Sequence, residues 1–144
     1  MDNITITQMT SNDIAKVKEL ENEQDINILS ENAMREDLSN PNYVYLIAKN
    51  GQEPIGYIAI SKVIDTIDIL SIVVKKNYQK QGVATLLLQY ILQKMDARKV
   101  MLEVRKSNIP AQKLYEKLGF QNISIRKKYY PDNLEDAFIY EKII

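Results

Sequence analysis

Apolar and polar positions change period several times along the chain, and each change marks an element. Residues 3 to 9 alternate Ile4 and Ile6 with threonines, which predicts a half-buried strand. Ile14, Val17 and Leu20 then take up helical spacing, with Thr10 and Asp13 ahead of them as a capping-box start. Ser30 is placed to cap a second, short helix through Met34 and Leu38, which Pro41 ends. Two runs, 43 to 49 and 54 to 60, flank Asn50-Gly51 and predict a tight hairpin. The run 66 to 74, TIDILSIVV, is too apolar and β-branched for an edge and predicts a central strand. Val83, Leu86, Leu87, Tyr90 and Ile91 return to helical spacing. A short strand is expected over 100 to 104, followed by a helix whose inner stripe is Ala111, Leu114, Tyr115 and Leu118. Ser107 or Asn108 would cap that helix, Pro110 falls in its first turn, and Gly119 stands in the C′ place. FQNISIRKKY and AFIYEKII give two last strands around Pro131-Asp132-Asn133. The order β-α-α-β-β-β-α-β-α-β-β describes an α/β fold with a central mixed sheet of about seven strands flanked by about four helices.

No repeat or Pro/Gly/Ser linker interrupts the 144 residues, so a single domain over 1–144 is expected. Composition changes the picture mainly by what it lacks. There is no cysteine and no histidine, which removes disulfides, thiol nucleophiles, thiolate metal sites and the usual general base. Nineteen basic residues balance nineteen acidic ones, so no global field draws the chain to nucleic acid or an anionic membrane, and any anion site is local. The first residues lack the basic flank and apolar run of a signal peptide, and no stretch approaches membrane-spanning length. The expectation is a soluble cytoplasmic protein, monomeric, without metal.

One local anion site suggests itself where the 66 to 74 strand hands over to the next helix. A helix entered directly from a strand presents unpaired N–H groups and the positive end of its dipole, and together these attract phosphate. Gly82 allows close backbone approach, and Lys76, Lys80 and Gln79 are near enough in sequence to add donors. By itself Gln79-Lys80-Gln81-Gly82-Val83-Ala84 also suits an ordinary solvated loop. Likewise Tyr115, taken singly, reads first as a core residue whose hydroxyl finds a partner, and Glu103, alternating with Leu102 and Val104, as a solvated outer position.

The glycine turn has the form Q/R-x-x-G-x-G/A between a strand and a helix, and in that setting the chain resembles the GCN5-related N-acetyltransferase (GNAT) superfamily. LEVRKSNIPAQKLYEKLGF (102 to 120), with I-R-x-x-Y-Y-P and E-D-A after it, is similar to the ribosomal-protein-alanine N-acetyltransferase (RimI-like) group, which acts on the N-terminal alanine of ribosomal protein bS18. The likeness runs from about residue 52 to the C-terminus. It implies the acyl-CoA N-acyltransferase fold and acetyl-CoA as co-substrate. It also implies that the backbone of Gln81, Gly82, Val83, Ala84 and Thr85 holds the pyrophosphate beside Lys80, and that Ile72, Val73 and Val74 hydrogen-bond the acetyl and pantetheine groups. Asn108 matches a coenzyme contact. Glu103 matches the proton acceptor, Tyr115 the proton donor, and Tyr129 and Tyr130 an aromatic pair near the acceptor groove; a turn packing its rings over the sheet is the other reading of that pair.

These residue types suit acetyl transfer from a thioester to an amine. A peptide α-amine has a reference pKa near ~8 against ~10.4 for lysine, so roughly a tenth of it is neutral at pH 7 and only a modest base is needed. Glu103, directly or through a water, can accept that proton. A backbone N–H at the strand end, that of Val74, can donate to the thioester oxygen as charge develops. Tyr115 can protonate the departing sulfur. Other acceptors, such as another N-terminus, a lysine or a small amine, are compatible with the same machinery, as is a non-catalytic acyl-CoA-binding module.

Overall fold

The computed structural model describes residues 3–144. Its strands are β1 (Ile4–Gln8), β2 (Tyr43–Asn50), β3 (Glu53–Val63), β4 (Thr66–Val74), β5 (Lys99–Arg105), β6 (Gln121–Arg126) and β7 (Ala137–Ile143), and its helices α1 (Ile14–Asn22), α2 (Glu31–Leu38), α3 (Val83–Lys94) and α4 (Ile109–Lys117). The strands form one mixed sheet in the order β1-β2-β3-β4-β5-β7-β6, with the 66 to 74 run in the middle as expected. Two compact units are distinguished, Met1–Lys62 with Leu70–Met95 and Val63–Ile69 with Asp96–Ile144.

In the first unit the predicted starts are made by the predicted residues. The Thr10 N–H donates to the Asp13 carboxylate at 2.9 Å, and Ser30 Oγ accepts from the Ala33 N–H at 3.1 Å. The hairpin forms with a shift of one residue. Asn50 pairs with Glu53, so Gly51 and Gln52 make the loop, with Gly51 at φ 62° in its first position. Asn50 instead turns its amide to the Tyr78 hydroxyl at 3.0 Å. Met9, Ile14, Val17, Leu20, Met34, Tyr45, Ile47, Tyr57, Ala59 and Val73 form one core cluster. The stripe of α3 is rotated from expectation: Val83, Leu87, Leu88 and Ile91 are buried, whereas Leu86 is 38% exposed. Gly56 seats the start of this helix. A Cβ there would lie 3.0 Å from the Val73 carbonyl oxygen and 3.2 Å from the Val83 side chain.

One charged group lies inside this core. Glu21 is fully buried, receives the Tyr57 hydroxyl at 2.5 Å and pairs with Lys18 at 2.6 Å. Lys18 reaches on to Asn27 Oδ1 at 2.9 Å and the Leu29 carbonyl at 2.6 Å, tying down the connection between α1 and α2. Burial and the Glu21 carboxylate both push the Tyr57 phenol up, so it stays a donor. Tyr57→Phe is therefore expected to cost ~1–3 kcal/mol in urea unfolding, because it withdraws a hydrogen bond from a carboxylate that water cannot reach.

In the second unit β4 and β5 pair in parallel from Thr66–Lys99 to Ile69–Leu102, and β5, β7 and β6 follow antiparallel. Val100, Leu102 and Val104 are buried and Glu103 is exposed, so the strand alternates as its sequence does. Asn108 rather than Ser107 caps α4, accepting from the Ala111 N–H at 3.2 Å. Gln112, which carries no periodicity signal, is buried and donates to the carbonyls of Arg105 at 3.2 Å and Lys106 at 2.8 Å, fastening the helix to the end of β5.

Candidate active site

The first unit carries the turn expected to bind phosphate. From Val74 the chain passes through a 3-10 turn, Lys76–Tyr78, into Lys80 at φ 62° and Gly82 at φ 89°, and α3 starts at Val83. Two left-handed residues, Lys80 and Gly82, thus lead directly into the first turn of α3, whose leading N–H groups have no partner within the helix. The first bond of the helix runs from the Leu86 N–H to the Gly82 carbonyl at 3.0 Å. Among the described residues, no acceptor is bonded to the N–H groups of Val83, Ala84 and Thr85. A Cβ built on Gly82 meets nothing within 4 Å, so open space lies over the turn. These features fit a pyrophosphate.

The side chains around the turn divide between holding it and facing outward. Lys75 is bound to Glu53 at 2.8 Å, and Glu53 also accepts from Tyr78 at 3.2 Å. The Gln79 amide is committed to Gln24 Oε1 at 2.6 Å and to the Val74 carbonyl at 3.0 Å, and Gln24 Nε2 joins the same carbonyl at 2.9 Å. Both amide hydrogens of Gln79 are thereby used within the protein, and the glutamine braces the turn. Lys76 and Lys80 are exposed.

The strand end also presents its backbone as the chemistry requires. The Lys75 N–H bonds to the Ile55 carbonyl at 2.8 Å, and the Val73 carbonyl lies against Gly56. In an antiparallel pair alternate residues face the partner, so Val74 and Ile72 turn their N–H groups away from β3.

The second unit carries the proton-transfer candidates. Glu103 on β5 has a side chain 33% exposed and lies 3.7 Å from Arg126 Nε of β6. The Glu103 carboxylate first, then burial, holds the Tyr129 phenol above its ordinary range. Tyr129 and Tyr130 meet edge to face at 5.1 Å, and the Arg105 guanidinium lies 4.0 Å from the centre of the Tyr130 ring. Arg105 is pinned by Asp132 at 3.0 Å and Glu135 at 3.3 Å, while Glu135 also accepts from the Ser107 N–H at 2.6 Å. The arginine thus fixes the tyrosine turn onto β5. Its alternation with Glu103 places it on the right face, but nothing in the sequence distinguishes it from any solvated arginine.

Tyr115 on α4 is half-buried, with ring centres 6.0 Å from Phe120 and 6.2 Å from Tyr140. Burial first, and the nearby Tyr130 phenol second, push its hydroxyl up to about 12. Against a thiol reference near 8.5, complete transfer of that proton costs ~5 kcal/mol, more than an unperturbed tyrosine would require. Tyr115 is accordingly suited to stabilising a departing sulfur through a hydrogen bond and does not exist as phenolate at neutral pH. Register separates it from the base: Glu103 pairs with Ile139, whereas Tyr115 packs on Tyr140, the partner of Leu102 on the other face. Asn108 spends its side-chain oxygen on capping α4; among the described residues, its amide nitrogen is bonded to none. No group of Asp and Glu residues suited to a metal ion, and no helix long and apolar enough to cross a membrane, occurs among the described residues.

Comparisons with known proteins bear on the family. A Bacillus subtilis (strain 168) protein named as a candidate [ribosomal protein bS18]-alanine N-acetyltransferase is 42% identical over 71% of this chain and 70% of its own length. The [ribosomal protein bS18]-alanine N-acetyltransferase of Escherichia coli (strain K12) is 39% identical over 66% of this chain and 67% of its own. The crystal structure of the ribosomal-protein-S18-alanine N-acetyltransferase from Escherichia coli superposes with a TM-score of 0.88 at 29% identity, covering 98% of this chain and 94% of that one. The family model described as "Acetyltransferase (GNAT) family" matches residues 13–120, beginning well before residue 52. By that match, which takes in both the glycine turn and the strand carrying Glu103, the chain belongs to the acetyltransferase (GNAT) family.

Proposed function

We propose that this chain is a single acetyltransferase domain, cytoplasmic and monomeric, that transfers the acetyl group of acetyl-CoA to the N-terminal alanine α-amine of ribosomal protein bS18. The observation that carries the reading is the identity to relatives named for that reaction, 42% over 105 residues and 39% over 101. The chemistry supports it. In the first unit the N–H groups of Gln81 to Thr85 would hold the pyrophosphate, with Lys80 adding charge, while Val74 would donate its N–H to the thioester oxygen.

In the second unit Glu103 would take the proton of the α-ammonium, directly or through a water, leaving the lone pair that attacks the carbonyl carbon. Collapse of the tetrahedral intermediate breaks the carbon–sulfur bond, and Tyr115 would share its proton with the sulfur as it leaves. A chemistry of one carboxylate, one phenol and backbone donors needs neither histidine nor cysteine, and the chain has neither.

The test is incubation with acetyl-CoA and an Ala-starting peptide, the same peptide with a blocked N-terminus, and a blocked peptide containing lysine, each read by mass. Acetylation confined to the free N-terminus is expected. Equal or faster acetylation of the lysine peptide would overturn the assignment of the acceptor.

A further inference from the structure

We propose that Arg126 is a resident cation, held against Glu103 and Tyr129 until the acceptor's own α-ammonium displaces it. The inference rests on the assignment of Glu103 as the group that receives the acceptor's proton.

The arrangement around Glu103 is that of a cation site. Arg126 Nε stands 3.7 Å from the carboxylate, and its guanidinium carbon lies 5.6 Å from the centre of the Tyr129 ring. One guanidinium thus stands against both, so an oxygen-rich group and an aromatic face meet at a single place. These are the two groups that together bind an ammonium ion.

The other charged groups on this face are already engaged or distant along the strands. Arg105, two residues along β5, is shared by Asp132 and Glu135 and lies over Tyr130. Glu141 of β7 is tied to Lys99 at 3.7 Å, and Asp68 of β4 stands opposite Met101.

Arg126 differs from Arg105 in being loosely held. Its side chain is 59% exposed and makes one long ionic contact, whereas the Arg105 side chain is 35% exposed and has two carboxylate partners. A single exposed ion pair shifts an equilibrium by at most about fivefold, so an incoming ammonium can replace it without a large penalty. Arg126 is also on β6, the last strand in the sheet order, and every residue of that strand is exposed, so the long side chain is free to swing outward. The role follows from these facts together: the arginine occupies the place beside the carboxylate and yields it to a substrate of the same charge.

Calorimetry on the protein without acetyl donor tests this. The probes are an Ala-starting hexapeptide of otherwise uncharged residues and its N-acetylated copy, titrated into the parent, Arg126→Gln, Arg126→Met and Arg126→Lys. Removal of the competing cation is expected to tighten binding of the free-amine peptide roughly two- to fivefold in both neutral variants, with Arg126→Lys like the parent and the N-acetylated peptide unchanged throughout. Weaker or unchanged binding of the free amine by the neutral variants overturns the proposal, as does an equal gain for the acetylated peptide. Failure of the base assignment is read separately: Glu103→Gln would then turn over like the parent, whatever the Arg126 variants do.

Discussion

Glu103→Gln abolishes measurable acetyl transfer while leaving the coenzyme bound as tightly as before; a fall in kcat of ~10²–10⁴ is the expected size for removal of a general base. The substitution keeps the shape and removes only the ability to accept a proton. Its neighbours, Arg126 at 3.7 Å and Tyr129, are surface groups, and the side chain is one-third exposed, so unfolding is expected to move by no more than ~0.5 kcal/mol. Steady-state rates at saturating acetyl-CoA, together with calorimetry of coenzyme binding, check both halves. Equal rates in the variant and the parent would remove Glu103 from the mechanism. A loss of coenzyme binding along with activity would mean that the residue shapes the site without acting as its base.

The second large effect is expected at Gly82. A Cβ there has no neighbouring atom within 4 Å, so the main cost to the chain itself is the conformational one of a β-branched residue at φ 89°, ~1–2 kcal/mol. The ligand fares worse, because the new methyls occupy the open space over the first turn of α3 and prise the phosphates from the N–H groups beneath. Gly82→Val should therefore raise the Kd for coenzyme A by at least about tenfold, with thermal unfolding only slightly lowered. Gly56→Val gives the contrast: its Cβ would press on the Val73 carbonyl at 3.0 Å and on Val83, so that variant fails by losing the fold. Unchanged coenzyme affinity in Gly82→Val would place the phosphates elsewhere.

Much of this architecture is legible in the sequence because local signals agree with the global pattern. The Thr10-Asp13 box, the Ser30 cap, the apolar run at 66 to 74 and the Leu102/Glu103 alternation each have a local cause, and each appears where its residues put it. What escaped has causes that are not local. The hairpin loop moves from Asn50-Gly51 to Gly51-Gln52 because Asn50 stays in the ladder opposite Glu53, with a register shift behind it at Ala48. Leu86 and Leu88 cannot be told apart by helical spacing alone, and close packing at Gly56 accompanies the choice of Leu88 for the interior.

Buried polar residues are harder still. Glu21 sits on the apolar side of α1 only because Tyr57 and Lys18 answer it from 36 residues away and from one turn back, and neither partner advertises itself. At the site, Glu103 and Tyr115 could be picked out by spacing and resemblance. Arg105 and Arg126 could not, since their meaning lies in a turn and a strand that sequence does not bring together.

The central claim is that the bend between β4 and α3 grips the diphosphate of acetyl-CoA with its backbone. Backbone amide resonances of the isotope-labelled protein, followed by NMR during titration with coenzyme A, test it most directly. The largest changes are expected at Gln81 to Thr85 and at Ile72 and Val74, the N–H groups at the start of the helix and those that turn away from β3 at the end of the strand. If those amides stay unmoved while a different set responds, the diphosphate is held elsewhere and the proposed delivery of the thioester is wrong.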